Sequence, residues 1–150
     1  MLHNESYFIT QLAISSLGLT LNATLFLMVI AESSSFNPSS YLPVWICFSD
    51  VILNANNFFF GLYALVKRES LLELSNDACA VDAFVVIFSC SSSLLLLLGL
   101  TYLRYSIIVK EVEVKLSYVK WGIAGSFATG AISAALRLYL DRKNIFIILR

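Results

Sequence analysis

Long apolar stretches alternate with short polar ones along the chain, and this alternation predicts four helices. A helix needs about 20 mainly apolar residues to cross the roughly 30 Å hydrocarbon core of a bilayer, because it rises about 1.5 Å per residue. Four stretches are long enough, at 8–30, 41–66, 80–109 and 118–140. We therefore expect an all-α fold, a multi-pass transmembrane helical bundle whose helices run up and down through a lipid bilayer.

The polar stretches between these segments are short and predict loops. They comprise a serine-rich stretch at 32–40, a charged one at 67–77 and a second charged one at 110–115. Stretch 141–150 is interpreted as a charged turn followed by an apolar run too short to span. The first six residues contain no Lys or Arg, and the apolar run after them is too long for a signal peptide, so it is interpreted as a retained anchor.

Composition supports a membrane protein and argues against several other classes. Hydrophobic residues make up 59% and charged residues 13%, with a mean hydropathy of +0.81; soluble domains carry about 25% charged residues. The net charge is zero and no run of like charges occurs, so no nucleic-acid partner is expected. The three cysteines and the single histidine, His3, fit no metal site, and no nucleophile–base pair is visible, so we expect no enzyme.

Polar residues inside the predicted helices form one seam on each of three helices. Asp50 lies mid-way along the second, and a charge at that depth costs at least about 2.5–3.5 kcal/mol unless it is shielded. The residues that share a helical face are Asp50, Asn54 and Asn57 on the second helix, Gln11, Ser15, Gly18 and Asn22 on the first, and Ser89, Ser93, Leu97, Leu100 and Arg104 on the third. These seams predict a shared hydrated interior.

Structural roles for the same residues stay open. Asn and Ser side chains often hydrogen-bond between packed membrane helices without further function. Asp82 and Arg104 lie near helix ends, where a long or polar side chain can reach the membrane interface. In the fourth helix, small residues recur every four positions and predict close helix packing: Gly122, Ser126, Gly130 and Ala134.

Four motifs resemble the rhodopsin-like (class A) G-protein-coupled receptors. They are Asn22 in the first helix, the segment 46–50 ending in Asp50 in the second, Cys79 at the head of the third, and Leu103, Arg104 and Tyr105 at its foot. Their order and spacing are similar to those of the family. The resemblance implies that the chain provides the first four helices of a seven-helix receptor-type fold.

The family resemblance also implies roles for individual residues. Asn22, Asp50 and Ser93 would form an ion and activation network, with a sodium ion near Asp50. Arg104 and Tyr105 would contact a heterotrimeric G protein, and Cys79 would form a disulfide. In the full-length protein, an extracellular ligand would drive signalling through the G protein. No other cofactor is implied.

The chain departs from the family pattern at several positions. Leu103 replaces the acidic residue that normally restrains the arginine after it. Val86 stands where amine receptors have an aspartate, so an amine ligand is not expected. Trp121 lies earlier than the family's fourth-helix tryptophan, and the cysteine that would pair with Cys79 is missing.

Two signals disagree about orientation. Asn4 begins a glycosylation sequon, which favours an extracellular N-terminus in the cell membrane. The distribution of Lys and Arg over the loops leans slightly the other way. Together with the receptor-like order of motifs, the sequon leads us to expect the N-terminus outside.

Other classes of membrane protein remain open. A free-standing four-helix scaffold or assembly subunit is the main alternative to a receptor. A transporter is less well supported, because transporter sites favour helices interrupted by Gly and Pro, and the second and third helices have no such break in the middle.

Overall fold

The computed structural model consists of four long helices. They are α1 (Leu2–Ala31), α2 (Pro38–Lys67), α3 (Asn76–Ile108) and α4 (Leu116–Ile148). The structure describes the backbone of residues 2–31, 38–67 and 75–148, and the side chains of residues 6–31, 41–67 and 75–140. Within these ranges the fold is all-helical, as the sequence predicts.

The ends of α3 follow from local hydrogen bonds. Ser75 caps its start, where the side-chain oxygen accepts a bond from the Ala78 amide at 3.3 Å. Beyond its last turn, the amide of Val112 donates to the carbonyl of Ser106 at 3.2 Å, and Glu111 adopts a positive φ of 52°. That left-handed residue reverses the chain, so α4 can begin at Leu116.

The last helix is longer than expected. The sequence analysis placed a charged turn after residue 140, but α4 continues to Ile148. This prediction was wrong because charged residues end an apolar stretch without ending a helix. Arg and Lys are good helix formers, and neither Gly nor Pro occurs in 141–148 to stop it.

Three of the helices are long and apolar enough to cross a membrane: Ser6–Ala31 in α1, Asn76–Ile108 in α3, and Leu116–Leu140 in α4. The sequence analysis counted α2 as a fourth span, but α2 does not meet this criterion. It has ample length, at 30 residues. Its polar groups, Asp50 and three asparagines, lower its mean hydropathy.

The position of α2 accounts for its polarity. It contacts each of the other three helices, whereas α1 packs only on α2 within the described residues. In α2, the large apolar side chains that are exposed are Phe59, Leu62 and Val66, while α1 exposes nine. A central helix needs fewer lipid-facing side chains, so it can carry polar ones at membrane depth.

The tightest apolar packing lies toward the end of the bundle where α2 and α4 begin. Its buried members are Leu42, Leu96, Leu103, Val119 and Ile123. Aromatic rings of α2 and α4 extend it, with Trp45 edge-on to Phe127 at 5.8 Å between centroids. This cluster joins α2, α3 and α4 and holds the polar residues of α2 against α3.

Candidate functional site

A hydrogen bond between α2 and α3 forms the centre of the candidate site. The hydroxyl of Ser93 donates to Oδ1 of Asp50 at 3.2 Å, and both side chains are half-buried. Asp50 therefore faces α3, as its helical seam predicts. Because part of its surface stays accessible, the carboxylate lies at the edge of the four-helix packing rather than sealed inside it.

A layer of buried serines lies beside this pair. The Ser49 hydroxyl donates to the backbone carbonyl of Ser89 at 3.2 Å, and both residues are fully buried. The hydroxyls of Ser89 and Ser92 find no partner among the described residues. A buried hydroxyl without a partner is costly, so this layer favours the approach of a further polar group.

Asn22 lies on α1 and is not joined to this site by a described hydrogen bond. Its Nδ2 donates to the carbonyl of Gly18 at 3.0 Å, within α1. A Cβ atom added to Gly18 would lie only 2.5 Å from Oδ1 of Asn54, which is too close for a side chain to fit there. Nδ2 of Asn54 in turn donates to the backbone carbonyl of Asp50 at 2.8 Å. Gly18 thus lets the Asn54 side chain of α2 approach α1. The described hydrogen bonds of Asn22 and Asn54 each stay within one helix, so they do not join Asn22 to Asp50.

A third polar contact between α2 and α3 was not predicted from the sequence. Nδ2 of Asn56 donates to Oδ1 of Asp82 at 2.6 Å. From the sequence, Asn54 and Asn57 were predicted to share a helical face with Asp50. Asp82 was predicted to reach the membrane interface from near the end of its helix. The signal that could have found the pair is the presence of three asparagines in four positions, since they must face more than one neighbour.

The foot of α3 presents Arg104 and Tyr105 outward. Both are exposed, and Arg104 forms no ion pair with any part of the chain that is described. Nζ of Lys110 lies 5.7 Å from the centroid of the Tyr105 ring. Leu103 points the other way, into the apolar cluster, and is only 4% exposed. An acidic residue at position 103 would therefore be buried among aliphatic side chains, and it would not restrain Arg104.

Two further residues were predicted from the sequence to be modified, Cys79 in a disulfide and Asn4 by glycosylation. Cys79 is exposed in the first turn of α3, and it is a free thiol, as are Cys47 and Cys90. The side chain of Asn4 lies outside the described residues. In the ranges that are described, no three His, Cys, Asp or Glu side chains come together as metal ligands.

The arrangement can bind and orient polar groups at membrane depth. Asp50 and Ser93 offer carboxylate and hydroxyl oxygens to a small cation or to water, and the unpaired hydroxyls of Ser89 and Ser92 are nearby on the same helix. The chain matches no protein-family model, curated protein or solved structure.

Proposed function

We propose that the chain forms the first four helices of a rhodopsin-like receptor, in which ligand binding outside promotes nucleotide exchange on a G protein inside. The observation that carries the proposal is the bond between Ser93 and Asp50 at 3.2 Å. The resemblance requires these two residues to meet, and nothing in composition or helix length alone requires it.

The accessible edge of the site supports the same proposal. Asp50, Asn54 and Asn57 are each half-buried rather than enclosed. A carboxylate at membrane depth is stable only against protein, water or a cation. Further helices packed over this edge would supply that cover, as the remaining three helices of a receptor would.

Arg104 would be the residue through which such a receptor contacts its G protein. It is exposed at the end of α3, beside a loop that carries Lys110 and Lys115. Without an ion pair to any described residue, its guanidinium is available to a partner. Tyr105 lies next to it and is also exposed.

The transcript beyond codon 150 tests the proposal most directly. An open frame that encodes three more apolar segments supports it, and a stop codon at that point overturns it.

In the extended protein, Arg104→Ala should abolish ligand-stimulated nucleotide exchange at equal surface expression. Arg104→Lys should restore little, because lysine keeps the charge and loses the planar fork of donors. Lys115→Ala is the matched control, and exchange unchanged in Arg104→Ala would contradict the proposed contact.

A free-standing four-helix scaffold is the second candidate, and the exposed part of α4 favours it. A Cβ added to Gly122 or Gly125 would meet nothing within 4 Å. Glycines on an open helix face allow another membrane helix to approach closely. In this case a second protein, rather than later helices of the same chain, would cover the accessible side of Asp50. Cross-linking of the 150-residue chain in membranes would then yield a defined complex.

A further inference from the structure

A small apolar cleft opens between α1 and α2 at the end where the two helices are joined. Its lining is almost entirely hydrocarbon and ring surface, and its volume is about 230 Å³. The lining residues are Phe26, Ile30, Tyr41, Val44 and Trp45. Sites that enclose drug-sized ligands measure roughly 300–1,000 Å³, so this cleft suits a single flexible chain better than a bulky ring system.

A cation lies beside one of the residues that line this cleft. Nζ of Lys120, on α4, lies 5.9 Å from the centroid of the Tyr41 ring, which lines the cleft. Tyr41 and Lys120 each fall near the start of their helix, since α2 begins at Pro38 and α4 at Leu116. Both are therefore close to the level where the hydrocarbon core meets the lipid headgroups. Lys120 is exposed and pairs with no acid among the described residues.

The wall of the cleft is held in place by packing on its far side. The Trp45 ring meets Phe48 edge-on at 5.6 Å and Phe127 at 5.8 Å between centroids. Phe26 in turn lies 5.8 Å from Phe48. The cleft is therefore formed before anything enters it, and a ligand would not have to order these rings.

We propose that this cleft binds one anionic phospholipid, with part of an acyl chain between α1 and α2 and the phosphate at the ammonium of Lys120. The hydrocarbon lining matches the acyl chain, and the Lys120 ammonium, which pairs with no acid among the described residues, matches the phosphate oxygens. The Tyr41 ring positions the ammonium through its π face. The site is independent of the receptor proposal, because it uses none of Asp50, Ser93 and Arg104.

Fluorescence quenching of Trp45 tests the site in the full chain. The protein has two tryptophans, and Trp121→Phe leaves Trp45 as the sole reporter. This variant is reconstituted into phosphatidylcholine vesicles that contain either dibromo-acyl phosphatidylglycerol or dibromo-acyl phosphatidylcholine at the same fraction. We expect about fivefold stronger apparent association of the anionic lipid, the ratio that corresponds to about 1 kcal/mol for one cation at the membrane surface.

Two substitutions assign the preference to Lys120. Lys120→Gln should remove the preference for the anionic lipid, and Lys120→Arg should keep it. Lys115 is a neighbouring cation away from the cleft, so Lys115→Gln should leave the preference nearly unchanged. Ile30→Phe should reduce quenching by both lipids, because it fills the cleft. Equal quenching by the two lipids in the parent would overturn the proposal, and so would an equal loss of preference in Lys120→Gln and Lys115→Gln, which would indicate general surface charge. Circular dichroism confirms that each variant keeps its helix content.

Discussion

Asn56 and Asp82 form a short hydrogen bond between two helices, with 2.6 Å between Nδ2 of Asn56 and Oδ1 of Asp82. The pair lies toward the opposite end of the bundle from Lys120 and ties α2 to α3 there. Asp82 is thus engaged with a neighbouring helix, in addition to lying near the end of its own.

Asn56→Ala should lower the stability of the bundle by about 1–3 kcal/mol, because it leaves a half-buried carboxylate without its partner. The thermal unfolding midpoint of the purified protein in detergent measures the effect. Asn22→Ala is the matched control, since among the described residues the Asn22 amide donates to the Gly18 carbonyl of its own helix. Equal midpoints for the two variants would show that the contact with Asp82 contributes nothing.

The bond between Asp50 and Ser93 should produce measurable coupling. In a double-mutant cycle with Asp50→Ala and Ser93→Ala, we expect a coupling energy of about 0.6 kcal/mol and at most about 1.7 kcal/mol, the range found for hydrogen bonds between membrane helices. Ser91→Ala should show no coupling with Asp50→Ala, because residue 91 lies on a different face of α3. Comparable coupling at 91 and 93 would contradict the observed contact.

Gly130 should be intolerant of substitution, in contrast to two other glycines of α4. A Cβ at position 130 would collide with the Ser92 hydroxyl and lie 3.0 Å from the carbonyl oxygen of Phe88, whereas Cβ atoms at Gly122 and Gly125 meet open space. Gly130→Ala should therefore separate α3 from α4 and lower the unfolding midpoint. Gly122→Ala and Gly125→Ala should raise it slightly, since alanine is the better helix former by about 1 kcal/mol.

A second substitution locates the cause of that effect. Ser92→Ala combined with Gly130→Ala should recover part of the loss, because it removes the oxygen that the new Cβ would meet. If Gly130→Ala is as stable as Gly122→Ala, α3 and α4 are not packed as closely as described.

The loop between α3 and α4 should face the cytoplasm. The sequon at Asn4 and the order of the receptor-like motifs motivate this orientation. A glycosylation site inserted between Glu111 and Lys115 should stay unmodified in microsomes, while Asn4 becomes modified. The reverse pattern would invert the orientation and remove Arg104 from any G protein.

The sequence determined the helical architecture because each helix is predicted by the apolar pattern of its own segment. Four apolar stretches of sufficient length, separated by short polar segments, predict four helices in any tertiary arrangement, and their cores were found with ends that shifted by a few residues. The ends shifted most where polarity changed without a helix breaker, as after residue 140. Asp50 could be identified as a shielded residue from its depth alone, because an unshielded carboxylate is too costly there.

The tertiary structure decided which polar groups meet. Periodicity assigns a residue to a face but does not say which helix that face contacts. It placed Asp50 and Ser93 on polar seams, which the structure joins by a hydrogen bond, but it did not predict the pairing of Asn56 with Asp82. It also grouped the small residues of α4 together, whereas packing divides them into a buried Gly130 and an open Gly122 and Gly125. Contacts between residues distant in sequence depend on how helices rotate and approach one another, and that is set by the packing of all their side chains together.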